Sequence, residues 1–385
     1  TRNDETNMII CQVASSLFNV PKKIARIRSK EFLDAKWSRL YNKTNIPIDV
    51  IISPEIEVAK SLFRRLEAPG ALDNVPFANN KLKMLEILVE KNCPLANVAL
   101  KNLTEKFPDF KANILGAQRD NDFIFLKKND KMVVGDNVYL IVSSEQLTQI
   151  LKAFGHEEKA STKILIIGGG SIGLHLAKML ENNFEGARVK IIEKNKERAE
   201  EIANELSSSI VINGDALDEE ILKEANVEDT ETVLALTNDD ENNIMACVLA
   251  EKSSPNKRTI AIVNKSNYSL LQNSLNIDDL VDPRMTTVSR IMEHVHKGTI
   301  GTVYSLLDGA YEFIEAKILG QSELLNKKIK ESNLPEYIRI GAILRKEKVI
   351  IPKSDFIFEK DDLVVLLAKR EHLKEVESIF RITSI

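Results

Sequence analysis

The chain has 385 residues, too many for one compact core, and at roughly 100–200 residues per domain it should hold two to four units. Its 53 basic and 57 acidic side chains leave a formal net charge of -4, which excludes an electrostatically driven nucleic-acid or membrane-surface protein. No apolar run nears the roughly 20 residues that span a bilayer, and the three cysteines, Cys11, Cys93 and Cys247, are widely spaced and odd in number. A cytosolic protein with small buried thiols is expected.

The chain opens on Thr1-Arg2-Asn3-Asp4-Glu5-Thr6-Asn7, and this segment returns as Thr237-Asn238-Asp239-Asp240-Glu241-Asn242-Asn243, an offset of 237 - 1 = 236 residues. At that offset Cys11 meets Cys247, Ala14 meets Ala250, Ile24 and Ala25 meet Ile260 and Ala261, and Phe32 meets Tyr268. Farther on, Ile48, Asp49 and Pro54 meet Ile277, Asp278 and Pro283 at an offset of 229, the first copy having the longer loop. Two copies of one unit are therefore present.

After Gly70, short alternating apolar runs at 83–89, 123–127 and 137–142 read as strands of a small α+β domain. The polar stretch 152–162, with Gly155 and His156, reads as the connection between copies. After Gly298 the second copy offers strands at 311–319, 348–351 and 362–368 and a helical end at 371–380. The expected fold is α/β: Rossmann-like doubly wound parallel-sheet domains alternate with small α+β domains in tandem. The expected boundaries are 1–72, 73–154, a linker at 155–162, 163–298 and 299–385. The second unit runs 237 - 163 = 74 residues before the point that Thr1 matches, so about that much is expected to precede Thr1 in the natural protein.

The strongest chemical signal lies in the second copy. The run 163–167 is a short β-branched strand, and it leads into Gly168-Gly169-Gly170-Ser171-Ile172-Gly173. A helix over 174–181 and a strand over 188–192 follow, ending in Glu193, which is 193 - 173 = 20 positions after the last glycine. Strand, glycines, helix, strand and acid together make a dinucleotide fingerprint. Gly168 allows the tight turn, Gly170 lets the backbone approach a pyrophosphate, and Gly173 lets the helix pack on the sheet. Glu193 would accept from ribose hydroxyls and repel a 2'-phosphate, favouring NAD or another unphosphorylated adenosine over NADP; Lys194 beside it is taken with the site.

A third strand at 210–212 ends in Asn213-Gly214-Asp215-Ala216, and a fourth at 232–236 ends in Thr237-Asn238-Asp239. Ligands sit at the carboxyl ends of such strands, so Asp215, Ala216, Thr237, Asn238 and Asp239 join the glycines around one crevice. Asp239, Asp240 and Glu241 also read as a helix start, with carboxylates capping amides, and that reading is preferred for those three. No catalytic constellation accompanies the fingerprint. His156 falls in the linker, His175 follows the glycines and His372 is near the end. His294 and His296 are two apart, the wrong spacing for a helix-borne metal pair.

Thr1, Asp4-Glu5-Thr6-Asn7-Met8, Ile24-Ala25-Arg26-Ile27-Arg28, Pro69-Gly70-Ala71-Leu72, the glycine turn and Thr237 to Met245 together resemble the TrkA family of potassium-uptake regulatory subunits. Members have two tandem RCK (regulator of potassium conductance) halves, each a Rossmann-type domain followed by a smaller RCK_C, or TrkA-C, domain. The resemblance implies NAD or NADH binding, exchange with ATP or ADP, and assembly into a homo-oligomeric ring of two or four chains. It also implies a peripheral place on the inner face of the plasma membrane and control of a TrkH-type membrane subunit, with no catalysis. By the same analogy Arg26 and Arg28, two apart on one strand face, would reach phosphates or a neighbouring subunit, unless they mark an exposed strand face. The alternative function is an NAD-dependent oxidoreductase of unknown substrate.

Overall fold

The computed structural model describes residues 1, 3–107, 110–120, 122–157, 161–253, 257–265, 267–268, 273–295 and 300–380. The chain divides into two compact units, and each takes a stretch from both copies: residues 1–66 with 160–291, and residues 67–159 with 292–385. Copies alternate along the sequence, but like domains group in space. Among the described residues no helix is long and apolar enough to cross a membrane.

The first unit is built on a six-stranded parallel sheet. Its order is Ile210–Asn213, Arg188–Glu193, Lys163–Ile167, Thr232–Ala235, Arg258–Ile262 and Asp279–Val281, which is 3-2-1-4-5-6 in chain order, the doubly wound arrangement. Such a sheet is buried on both faces, which is why its strands read as continuous apolar runs. Along Lys163–Ile167 the side chains alternate, with Ile164 and Ile166 in one core layer and Leu165 and Ile167 in the other.

The first copy supplies only a short companion here. Ile24–Arg26 and Val50–Ile52 pair in parallel, and helix Asp4–Ser16 closes over them on Met8, Cys11, Ala25, Ile27 and Ile48. The repeat survives as hydrogen bonds. Asp4 accepts the amides of Arg28 and Ser29 at 2.8 and 2.7 Å, and Asp240 accepts those of Asn264 and Lys265 at 2.9 Å each. Asn7 donates to the Arg26 carbonyl at 2.8 Å, and Asn243 to that of Ile262 at 3.0 Å. All three cysteines are buried free thiols.

Helix Pro54–Glu67 belongs to the first copy by sequence and to the second by packing. Val58, Ala59, Leu62, Phe63 and Leu66 are buried in one layer with Ile164, Ile166, Leu176 and Leu180. Phe63 meets Phe184 edge-on at 6.1 Å, Arg65 pairs with Asp279 at 2.5 Å, and Arg258 donates to the Arg65 carbonyl at 2.8 Å. Each large apolar side chain buried this way stabilises by about 1.5–3 kcal/mol.

The second unit holds two five-stranded antiparallel sheets of identical order. One runs Asp73–Phe77, Leu82–Leu88, Asn137–Ser143, Ala112–Arg119, Asp122–Ile124; the other runs Ile300–Leu306, Tyr311–Lys317, Leu363–Lys369, Ile338–Arg345, Lys348–Ile350. They share a core in which Phe77, Met84 and Ile141 meet Phe313, Leu344 and Leu367. Sequence patterning missed Ala112–Arg119 and Ile338–Arg345, because each carries a register shift, at Ile114/Gly116 and at Ile340/Ala342, that breaks simple alternation. It also overran 123–127, where the strand ends at Ile124, and 348–351, where it ends at Ile350.

The connection expected over 152–162 is corrected at its start. Helix Leu147–Phe154 runs through Lys152, buries Leu151 and Phe154, and stops at Gly155, whose φ of 99° makes the left-handed cap. His156 is not a solvated linker residue but is buried against Gly70, where an added Cβ would fall 2.3 Å from its ring.

Leu62→Ala should lower unfolding free energy by about 2–5 kcal/mol, the usual cost of emptying such a site. Urea denaturation measures it, and a loss under about 1 kcal/mol would mean the helix does not seal the sheet. A second expectation concerns acid. Lys178 and Lys30, the latter from the first copy, both reach Glu205 at 2.5 Å and hold its pKa at about 2, against an ordinary 4.5. A depressed value stabilises the fold above pH 4.5 and that stabilisation is lost as pH falls toward 2. Glu205→Gln should flatten this limb in melting temperature against pH; limbs that stay parallel would rule the carboxylate out.

Candidate functional site

The glycine turn lies where the strand order reverses, at the carboxyl end of Lys163–Ile167. Gly168 has φ +105° and its missing Cβ would sit 3.1 Å from the Thr237 amide, so only glycine closes this turn against the next strand. A Cβ on Gly173 would lie 2.1 Å from the Gly168 carbonyl oxygen, so helix Ser171–Asn183 rests directly on the turn. Gly170 is different: a Cβ there would meet nothing within 4 Å, so its side is open. The helix begins immediately after it, and the amides of Ser171, Ile172 and Gly173 have no preceding helical carbonyl to bond.

The second peptide of the turn is gripped from both sides. Gly169 donates its amide to Glu193 Oε2 at 2.7 Å, and its carbonyl accepts from Arg198 Nε at 2.9 Å. Glu193 Oε1 accepts the Asn195 amide at 2.8 Å, which fixes the carboxylate beside the turn. Lys194 reaches across to Asp215 at 2.8 Å, and this hydrogen bond holds the Asp215 carboxyl below its usual range and raises the lysine.

A cleft of about 280 Å³ opens between these groups. Of the residues expected there, Gly168, Gly170, Glu193, Lys194, Asp215, Ala216, Thr237, Asn238 and Asp239 line it together. Gly169 stands behind it, facing Ile202, while Ile172 and Gly173 run into the helix. Leu217, Asn242 and Ala246 also line the cleft and were not foreseen. Arg198 was not foreseen either; its signal is its position in the first turn of the helix that follows Glu193.

Ser171 faces a second opening of about 390 Å³, together with Asn3, Asp4, Glu5, Arg28, Ser29 and Glu55. Arg28 is not on a strand face beside Arg26, because the strand ends at Arg26 and the Asp4 carboxylate draws the following backbone away. Its side chain is 55% exposed and its Nε donates to Glu55 at 2.5 Å. The first copy thereby places a cation near the start of the second copy's helix.

The three acids after Asn238 separate. Asp239 caps, accepting the Asn242 amide at 2.8 Å. Asp240 does not cap: it is buried and clamps the loop after Arg258–Ile262. Glu241 turns outward to Lys265 at 2.6 Å and to the Tyr268 hydroxyl, and the lysine in particular lowers its pKa to about 2. Among the described residues no cluster of three or more His, Cys, Asp or Glu is placed to hold a metal ion. His175 bonds the Ser171 carbonyl through Nδ1 at 2.6 Å, His372 stacks on Tyr337, and His296 lies outside the described residues.

The TrkA-N domain family matches residues 164–283, and the TrkA-C domain family matches residues 84–155 and 313–381. The Trk system potassium uptake protein TrkA of Azorhizobium caulinodans is 42% identical over 383 residues, covering 100% of this chain and 83% of its own length. Proteins of that name from Vibrio alginolyticus and Haemophilus influenzae are 36% and 35% identical, covering 99% of this chain and 83% of each relative. Of solved structures, the GsuK RCK domain gives a TM-score of 0.56 at 18% identity, over 98% of this chain and 79% of that one. The GsuK channel bound to NAD gives 0.56 at 17% identity, over 98% and 66%. These two share the fold. Identity above 30% across 99–100% of this chain and 83% of each relative, with the two domain families in alternation, establishes that the chain belongs to the TrkA family of Trk system potassium uptake proteins.

Proposed function

We propose that the chain is a nucleotide-sensing regulatory subunit of a potassium-uptake system. It binds NAD or NADH, with ATP or ADP as exchanging ligands, in the cleft that begins at Gly168. The observation that carries this reading is the open side of Gly170 facing a helix N-terminus, with Glu193 fixed beside it. Amides of Ser171, Ile172 and Gly173 would hold the pyrophosphate, the Glu193 carboxylate the adenosine ribose, and Asp215 with Ala216 the adenine edge. Thr237, Asn238 and Asp239 form the opposite wall. The names of the relatives support potassium uptake as the setting. The dehydrogenase alternative falls, since the family is one of potassium uptake.

Arg28 supplies the link between copies. A phosphate near Ser171 would compete with Glu55 for its guanidinium, so ligands that differ in phosphate charge would load the first copy differently. A ligand acts on a channel only through such a difference in affinity between two states. The output is a bias on a TrkH-type membrane subunit, exerted by a homo-oligomeric ring of these chains on the cytoplasmic face.

Isothermal titration with NADH is the direct test, and absence of saturable binding would leave the cleft a packing feature. Gly170→Val places a branched side chain in the open space, its Cβ meeting nothing within 4 Å. NADH affinity should fall at least tenfold with the melting temperature unchanged; unaltered affinity would remove the pyrophosphate assignment. Glu193→Gln keeps an acceptor for the Gly169 amide but removes the charge. The parent protein should bind NADH more tightly than NADPH, and the variant should narrow that gap by about tenfold, near the roughly 1.5 kcal/mol worth of a charge-assisted hydrogen bond. Equal affinities in the parent would contradict the role given to the carboxylate.

A further inference from the structure

The unit formed by residues 67–159 and 292–385 carries a cleft of its own, about 660 Å³ in volume. Small-molecule sites fall at roughly 300–1,000 Å³. Both copies build the walls: the first gives the turn Leu100–Asn102, strand Ala112–Arg119 and the segment around Lys127, and the second gives Glu336, Arg339 and Ile340. Four cations, Lys101, Lys127, Lys128 and Arg339, line it together with one carboxylate, Glu336. Leu103, Phe110 and Leu126, all buried, make an apolar floor.

Among the described residues, one carboxylate lines the cleft with these four cations. Glu336 is engaged by Lys127 at 3.2 Å. Lys101 and Lys128 have no carboxylate partner among the described residues, and Arg339 Nε is enclosed without a hydrogen-bond partner among them. Enclosed N–H donors are nearly always paired, so this one has bonding capacity to spare, as does Arg26 Nε elsewhere in the chain. The guanidinium lies 5.8 Å over the Phe125 ring, which holds it beside the cleft.

The two copies differ at this position. Strand register sets Asn113 opposite Ile141 and Arg339 opposite Leu367, equivalent places in the two sheets. Asn113 commits its amide to the carbonyls of Ile340 and Gly341 at 2.9 and 3.0 Å. Arg339 makes no such carbonyl hydrogen bond; its guanidinium reaches the other copy by lying over the Phe125 ring.

We propose that this cleft is a second ligand site, for a small organic anion whose phosphate or carboxylate lies among Lys101, Lys128 and Arg339 and whose apolar body rests on Leu103, Phe110 and Leu126. An arginine fork beside two lysines matches an oxyanion, and the floor favours a ligand with hydrocarbon or aromatic surface over a bare ion. Because both copies contribute, an occupant ties one small sheet to the other. The site is separate from the nucleotide cleft and does not depend on it.

The test uses the full chain, with and without NADH, and titrates octyl phosphate below its micelle concentration, beside inorganic phosphate, octanol and phosphatidylglycerol vesicles. One saturable octyl phosphate site per chain is expected, at least tenfold tighter than inorganic phosphate or octanol. Lys101→Ala with Lys128→Ala, both exposed, should weaken it at least tenfold while NADH affinity and melting temperature stay unchanged; Arg339→Gln should do the same if it folds. No saturable binding, or equal affinity in the double lysine variant, overturns the proposal. Inorganic phosphate or octanol binding as tightly as octyl phosphate also overturns it, and binding to vesicles alone would make these lysines a lipid contact instead.

Discussion

A parallel sheet has apolar side chains on both faces, and every strand face left to water costs the burial that makes the sheet fold. The sheet of the first unit meets this constraint by borrowing. Over Ile164, Ile166, Leu234 and Ile260 the covering helices are Ser171–Asn183 and Pro54–Glu67, and the second of these comes from the other copy. The polar ends of the borrowed helix are fastened as well, with Arg65 on Asp279 and Glu57 facing Arg290 at 3.4 Å. A helix that seals another copy's core cannot leave without opening it. This is why like domains group although the sequence alternates them.

The same constraint decides what was legible beforehand. Residues whose role is local announce themselves: Gly168 needs a positive φ, Gly173 needs contact with the turn, and the spacing to Glu193 is fixed by one helix and two strands. The repeat was legible too, and the structure gives its reason: Asp4 and Asn7 perform the tasks of Asp240 and Asn243 at constant offset. Helix Pro54–Glu67 was not, since its amphipathic pattern states that it covers a sheet without stating whose. The strands Ala112–Arg119 and Ile338–Arg345 were hidden by bulges, and Arg198 by lying in an ordinary charged helix. Asp240 was misassigned because an acid at a helix start has two uses, capping its own helix or holding a neighbouring loop, and the distant amides that decide between them are not adjacent in sequence.

That buried clamp explains how two copies of one unit came to differ usefully. Both copies need an aspartate holding two consecutive amides at the end of a strand, and this fixes the backbone of Arg28 and Asn264 identically. The side chains then take opposite courses. Asn264 folds back, donating to Asp240 at 3.0 Å and completing its own clamp. Arg28 instead extends to Glu55, in the opening that Ser171 shares. One substitution on a conserved backbone thus turns a self-contained loop into a cation presented beside the other copy's glycine turn. Since the backbone is held by the clamp and the helix after Ser53 is held by the second copy's core, Arg28 and Glu55 are both anchored while their ion pair remains the exchangeable part.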